Sequence, residues 1–265
     1  MTSPTDLDRL SSAGPVMRVE LTRVQGSSPR DAGAVMYVGV QACIGTIGGG
    51  QLEYMAIDQA RRMLASGQVQ GDMNVPLGPE IGQCCGGRVS VGLRLLNDLE
   101  AECAMLRCAQ QLNPQVLIFG AGHIGRALAR ALAPLPCNPI LVDSRCAELA
   151  LASALPQLLT PLPEAALRAA APASAYIILT HDHALDFLLG VEALARQDAA
   201  YIGMIGSATK AARFAKFSRE HRQDPRGLTC PMGQKSASKD PAVIAAMIVA
   251  EVWPILERVQ VRALT

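Results

Sequence analysis

The chain has 265 residues, of which 50% are hydrophobic, 18% charged and 3% aromatic, with a formal net charge of +1. Such a length and apolar content can bury a real core, as one large α/β domain or, as expected here, two smaller ones. The near-neutral charge and the scarcity of aromatic platforms exclude a nucleic-acid partner.

The polar start MTSPTDLDRL has no apolar run behind it, and the most apolar stretch, VIAAMIVAEVWPIL, is interrupted by Glu251 and Pro254. Neither a signal peptide nor a membrane partner is expected, and a cytoplasmic location is. Eight cysteines, spread along the chain and including one adjacent pair, fit reduced thiols better than a disulfide scaffold.

From Met17 to about Ser90, short apolar runs alternate with glycine-rich turns: VMRVELTRV, GSSPR, AVMYVG and ACIGTIGGG. This pattern predicts a small mixed α/β module whose strands end in loops. In GSSPR, the hydroxyls of Ser27 and Ser28 and the guanidinium of Arg30 make a donor set suited to phosphate; alone it is a polar loop. Leu52, Met55, Ala56, Ile57, Ala60, Met63 and Leu64 then recur at helical spacing, and the pattern stops at Gly67. The loop Gly48-Gly49-Gly50 at the head of that helix offers backbone N–H groups and a helix dipole to an anion, with a tight turn as the competing reading.

In EIGQCCGGRVSV, Cys84 and Cys85 stand side by side. The spacing is neither that of a zinc knuckle nor that of a thioredoxin-type couple, and a bridge between neighbours would be strained. One reading is a pair of buried packing thiols. In the other, Gly82, Gly86 and Gly87 thin the surroundings and Arg88 favours thiolate, giving soft donors for a soft metal or persulfide sulfur. The stretch NDLEAECAMLRCAQQLNP predicts a connecting helix ending in a turn at Asn113 and Pro114, which separates a module at 1–112 from a domain at 113–265.

The second half opens with QVLIFGAGHIGRALARALAPLPCNPILVDSR, and AYIILTHDH and AYIGMIGS continue the alternation of apolar runs and helices. Fully apolar strands alternating with helices predict a parallel, Rossmann-like sheet covered on both faces. Gly120, Gly122 and Gly125, with His123 among them, follow a strand and open a helix, and Asp143 stands about 20 residues on, where it would accept from a ribose diol. The fold follows from this fingerprint; whether NAD(P) or another phosphate-bearing ligand fills the crevice does not. His181, Asp182, His183 and Asp186 in THDHALD fall at a strand's C-terminal end, as metal ligands, as a polar crevice rim or as proton-transfer groups. In GMIGSATK, Ser207 is a helix cap with Lys210 in the first turn, resembling a phosphate-binding turn without P-loop spacing. The last helix is expected to be capped by Asp240, with Pro241 at its first position.

Taken in order, GSSPR, GTIGGGQLE, LGPEIGQCCGGR, LIFGAGHIG, LVDSR, THDHALD, YIGMIGSATK and CPMG followed by KDPAVIAA resemble the XdhC/CoxI family, the xanthine dehydrogenase accessory proteins. The resemblance implies an N-terminal XdhC/CoxI module joined to a C-terminal Rossmann domain. It also implies an accessory and maturation protein rather than an enzyme: a chaperone that binds molybdenum cofactor (molybdopterin) and protects it while a cysteine desulfurase installs its terminal sulfido ligand. The cofactor then passes to a xanthine dehydrogenase. The family's CGG motif falls on Cys85, Gly86 and Gly87, with Cys84 as the extra thiol, and these positions are expected at the cofactor and its molybdenum. The KSAS segment is more polar than the family pattern. Spare apolar surface suggests a homodimer. Two rival readings are an NAD(P)-dependent oxidoreductase with His181 or His183 as proton donor, and a persulfide carrier.

Overall fold

The computed structural model describes residues 2–78, 86–233 and 238–264. The chain divides into two compact units, Met1–Ala109 and Gln110–Thr265.

The first unit is built on an antiparallel sheet of five strands, β1 (Met17–Gln25), β2 (Val35–Val38), β3 (Cys43–Gly45), β4 (Gln70–Pro76) and β5 (Arg88–Leu95), in the order β3-β2-β1-β5-β4. Its helices are α1 (Pro4–Ser12), α2 (Gly50–Ser66) and α3 (Leu99–Gln111). Along β1, Met17, Val19 and Leu21 alternate onto one face and are fully buried there against Leu52, Ala56, Ala60 and Met63 of α2. A strand of period two thus meets a helix stripe of period 3.6, each supplying one apolar side. Gly67 ends α2 in a left-handed conformation, its N–H donating to the Met63 carbonyl.

The opposite sheet face packs Tyr37 and Ile44 against Leu7 and Leu10 of α1 and Cys103 and Leu106 of α3. Glu102 of α3 is buried in that layer and accepts from the Tyr37 hydroxyl at 2.6 Å and from Arg18 Nε at 2.9 Å, so its charge is paired and hydrogen-bonded. Burial and the Glu102 carboxylate push the Tyr37 hydroxyl well above the usual phenol range, which keeps it a donor.

The second unit is a parallel sheet of five strands, β6 (Gln115–Phe119), β7 (Asn138–Asp143), β8 (Gln157–Leu159), β9 (Ala175–Ile178) and β10 (Tyr201–Met204), in the order β10-β9-β6-β7-β8. Helices α4 (His123–Leu132), α5 (Cys146–Ala150) and α9 (Pro241–Leu264) cover one face through Leu128, Leu149, Ile248 and Leu256. Helices α6 (Pro163–Ala169), α7 (His183–Arg196) and α8 (Ala208–Glu220) cover the other through Leu167, Leu189 and Phe214. Burial on both faces explains why β9 and β10 carry unbroken apolar runs. The chain winds outward from β6 to β8 and then returns to lay β9 on the other side of β6, which puts the topological switch point between the C-terminal ends of β6 and β9.

Helix α9 is capped by Asp240, whose carboxylate accepts the Ala242 N–H at 2.8 Å. It runs through Glu251 and Pro254, where the sequence reads as interrupted. Glu251 is tolerated because it accepts from the Tyr201 hydroxyl at 2.5 Å and from the Gly233 N–H at 2.8 Å. Among the described residues no helix is long and apolar enough to cross a membrane.

Candidate functional site

Strand β6 delivers the loop Gly120–Gly125 to the switch point. Gly120 has φ of 119°, and a Cβ there would stand 2.4 Å from the Leu179 carbonyl oxygen; one on Gly125 would stand 1.9 Å from the Gly120 oxygen. Backbone approach therefore requires the first and third glycines. The second differs, since a Cβ on Gly122 would meet nothing within 4 Å among the described residues. Gly122 is the N-cap of α4, and among the described residues no side chain caps that helix, so its first-turn N–H groups lack an acceptor of that kind there. The space over Gly122 and the donors beside it suit an anionic ligand group. His123, the first residue of α4, is exposed.

Asp143, at the end of β7, is buried and heavily used. Its Oδ1 accepts from Arg145 N at 2.9 Å and Nε at 3.0 Å, and its Oδ2 accepts from Ala121 N at 2.7 Å and Arg145 Nη2 at 2.9 Å. Burial alone would raise its pKa, but the donors from Arg145 and Ala121 outweigh it and hold the carboxyl below the usual range. Asp143 thus pins the glycine loop to β7, and a ribose diol would have to displace Arg145. Beneath the loop, buried Arg126 donates to the Ala121 carbonyl at 2.5 Å and to Glu148 at 2.6 Å.

On the other side of the switch point, Asp182 caps α7 by accepting the Ala184 N–H at 2.8 Å, while His181 and His183 are exposed. Asp186 is fully buried; Oδ1 accepts from Thr180 N at 3.0 Å and Thr180 Oγ1 at 2.7 Å, and Oδ2 takes the Lys210 ammonium. Lys210 also donates to the Ile205 carbonyl at 2.9 Å, and Ser207 caps α8. Both aspartates of THDHALD are thereby committed to backbone and lysine, and among the described residues no group of three or more His, Cys, Asp or Glu side chains is placed to hold a metal ion. A cavity of about 410 Å³ opens here, lined by Thr180, His183, Phe187, Ser207, Lys210 and Arg213 among others. His183 and Ser207 are readable from the sequence as site candidates. Thr180, Phe187 and Arg213 are not; the available signal is that Arg213 lies three residues past Lys210, on the same helix side.

In the first unit, three sequence-distant candidate segments meet. A Cβ on Gly48 would stand 3.1 Å from Pro29, so GSSPR lies against the Gly48-Gly49-Gly50 loop. Ser27 forms a β-bridge with Gly86, and a Cβ on Gly87 would stand 2.1 Å from the Ser27 oxygen. The Ser28 hydroxyl is buried without a hydrogen-bond partner among the described residues, and Ser27 and Arg30 are exposed. The glycine loop already holds an anion of its own: the N–H groups of Ile47, Gly48 and Gly49 converge on Glu53 Oε1 at 2.9, 3.3 and 3.0 Å, joined by the Thr46 hydroxyl. Burial raises the Glu53 pKa, but these donors overcome it and hold the carboxyl below its usual value. Cys84 and Cys85 lie outside the described residues. The six cysteines within them carry free thiols.

These features define a two-unit α/β protein: an antiparallel module followed by a Rossmann-type unit with an uncapped glycine loop at its switch point. The family model for the XdhC Rossmann domain matches residues 116–252 and that for the XdhC and CoxI family matches residues 10–72; the chain belongs to the XdhC/CoxI family. It is 24% identical over 257 residues to the uncharacterized protein YqeB of Escherichia coli strain K12, covering 91% of this chain and 43% of that protein. It is 32% identical over 154 residues to a probable xanthine dehydrogenase subunit of Bacillus subtilis strain 168, covering 56% of this chain and 45% of that protein. The chain thus aligns with less than half the length of either relative. A crystal structure from Bacillus halodurans, described as a xanthine dehydrogenase, superposes with a TM-score of 0.80 over 97% of this chain and 96% of that one. At 18% identity, that likeness is one of fold.

Proposed function

We propose that the chain is an accessory protein that carries molybdenum cofactor to a xanthine dehydrogenase, in the cytoplasm and as a homodimer, without a catalytic step of its own. The observation that carries this reading is the open Gly122 crest: backbone donors at the head of α4 with, among the described residues, no side-chain cap and free space above, in a chain of the XdhC/CoxI family. Those donors fit an anionic group of the cofactor. The bound cofactor supplies the redox metal that the recipient enzyme uses. This chain's residues bind, shield and release it: Gly120, Gly122, His123 and Gly125 at the crest, with His181, His183 and Ser207 near it. In the first unit, Ser27, Ser28, Arg30 and the CCGG run at Cys84, Cys85, Gly86 and Gly87 are proposed as that unit's own cofactor contacts, the two thiols meeting molybdenum while a cysteine desulfurase acts on it; Gly48, Gly49 and Gly50 join them only once Glu53 gives up the Gly48 and Gly49 N–H groups.

The test is transfer. The purified chain is loaded with molybdopterin cofactor, freed of excess and mixed with cofactor-free xanthine dehydrogenase. Activation above that produced by the same amount of free cofactor is expected; activation no better than free cofactor would refute the carrier.

One observation favours a second reading, a dinucleotide-dependent oxidoreductase: the Gly120, Gly122 and Gly125 set has the spacing and placement of a dinucleotide loop. Against it stand the four donors already on Asp143. Fluorescence titration with NADH and NADPH, followed by trial carbonyl substrates, separates the two, and hydride transfer at enzymatic rates would favour the oxidoreductase.

A further inference from the structure

The cavity at α7 and α8 lies over the C-terminal ends of β9 and β10, beyond the glycine loop, and its wall is chemically uneven. At about 410 Å³ it falls near the lower end of the range for ligand pockets, roughly 300–1,000 Å³, a size suited to one small ligand rather than a whole dinucleotide. Its charged lining residues are Lys210 and Arg213, with His183 beside them, and no carboxylate is among the described residues that line it. Asp186, fully buried, has both oxygens occupied by Thr180 and Lys210. That pair neutralises Lys210 and fixes it in place, which leaves the exposed Arg213 as the net charge a ligand meets. Both helix N-termini at the cavity are already capped, by Asp182 and Ser207, so side chains rather than helix ends set the local charge. Phe187 and Ile205 supply the apolar wall, and Phe187 is held by an edge contact with Phe214 at 5.5 Å between ring centroids.

An arginine fork, hydroxyl-bearing side chains and an aromatic wall in one small cavity match a phosphate ester carried on a flat ring. We infer that this cavity is a phosphomonoester subsite, in which Arg213, Ser207 and Thr209 bind the phosphate and Phe187 packs against the heterocycle that bears it. Arg213 is thereby a binding residue that the Rossmann fingerprint does not include. The assignment rests on the carrier reading for one point only, that the heterocycle is a pterin; the preference for phosphate follows from the cavity.

The test uses the full chain and the native fluorescence of two pterins, neopterin monophosphate and neopterin. The monophosphate should bind at least about tenfold more tightly, the size expected for one charge-assisted contact. Arg213→Gln should remove that preference, inorganic phosphate should compete with the monophosphate, and the surface control Arg62→Gln should change neither affinity. Because Arg213 is exposed, the variant keeps its fold, which circular dichroism checks. Phe187→Leu should weaken both compounds alike. Equal affinities in the parent chain, or a phosphate preference that survives in Arg213→Gln, would overturn the subsite. If xanthine dehydrogenase is still activated in that case, the carrier reading stands without this subsite. If instead the phosphate preference holds and activation fails, the subsite stands and the carrier reading falls; adenosine monophosphate against adenosine then tests another ring.

Discussion

The chain contains two glycine-rich junctions at which a strand leads through a loop into a helix, and they are filled differently. In the first unit, Ile47, Gly48 and Gly49 turn their N–H groups onto Glu53, an acid from the first turn of the helix that the loop precedes. In the second, Gly122 stands at the N-cap of α4 with, among the described residues, no side-chain cap and open space above it. Glycine lets both backbones curl into an anion-binding shape, but the residue that follows decides whether the shape is already satisfied. GGGQLE carries its own carboxylate; GAGHIGRAL does not. The first loop is therefore a closed structural joint as it stands, and the second remains available for a ligand.

The comparison predicts the largest effect at the third glycine of the open loop. Gly125→Ala would press a Cβ to 1.9 Å from the Gly120 oxygen, a backbone atom that cannot swing away. A loss of more than about 4 kcal/mol is expected in chemical denaturation, as for the most disruptive buried substitutions. Gly122→Ala, two steps from the same oxygen in sequence, should shift stability by less than about 0.5 kcal/mol, because its Cβ meets nothing within 4 Å among the described residues. Equal losses from the two variants would refute the division between packing and ligand glycines.

Next in size is Lys210→Met, which strands the fully buried Asp186 without its cation and should cost about 3–5 kcal/mol. The double change Lys210→Met with Asp186→Leu should recover much of it, and a denaturation cycle over the four proteins measures the coupling.

Glu53→Ala should cost about 1–2 kcal/mol, the scale of a lost helix cap, and inorganic phosphate should recover part of it by filling the emptied loop. Because the folded pKa of Glu53 lies below its ordinary 4.5, its contribution is fully present above that value and fades as pH falls through the lower folded value. The parent chain should therefore lose stability on acidification more steeply than the variant; parallel curves would show that Glu53 is not held as described. The smallest effect belongs to Arg62→Ala, which breaks the exposed pair with Asp58 and should change stability by less than about 0.5 kcal/mol.

Much of this architecture can be read from sequence where burial is complete. Strands β6, β7, β9 and β10 announce themselves as apolar runs because both faces of the parallel sheet are covered, and α2 and its end at Gly67 follow from spacing and one glycine. Strand β4 is invisible for the converse reason: QGDMNVP is an edge strand with a single fully buried residue, Val75. Helix α1 hides behind a polar text because only Leu7 and Leu10 face inward. The candidate positions stand out as motifs, but their states depend on tertiary pairing. Nothing local shows that Glu53 folds back to fill its own loop, that Arg145 occupies Asp143, or that Lys210 reaches Asp186 across 24 residues.

The most direct measurement is cofactor retention by the parent chain and by Gly122→Val, compared after gel filtration with molybdopterin cofactor. The substitution adds bulk where a Cβ has no neighbour within 4 Å among the described residues, so the fold persists while the crest is blocked. The pterin should co-elute with the parent chain and run free of the variant. Equal retention by both proteins, or by neither, would contradict a cofactor seated at that crest.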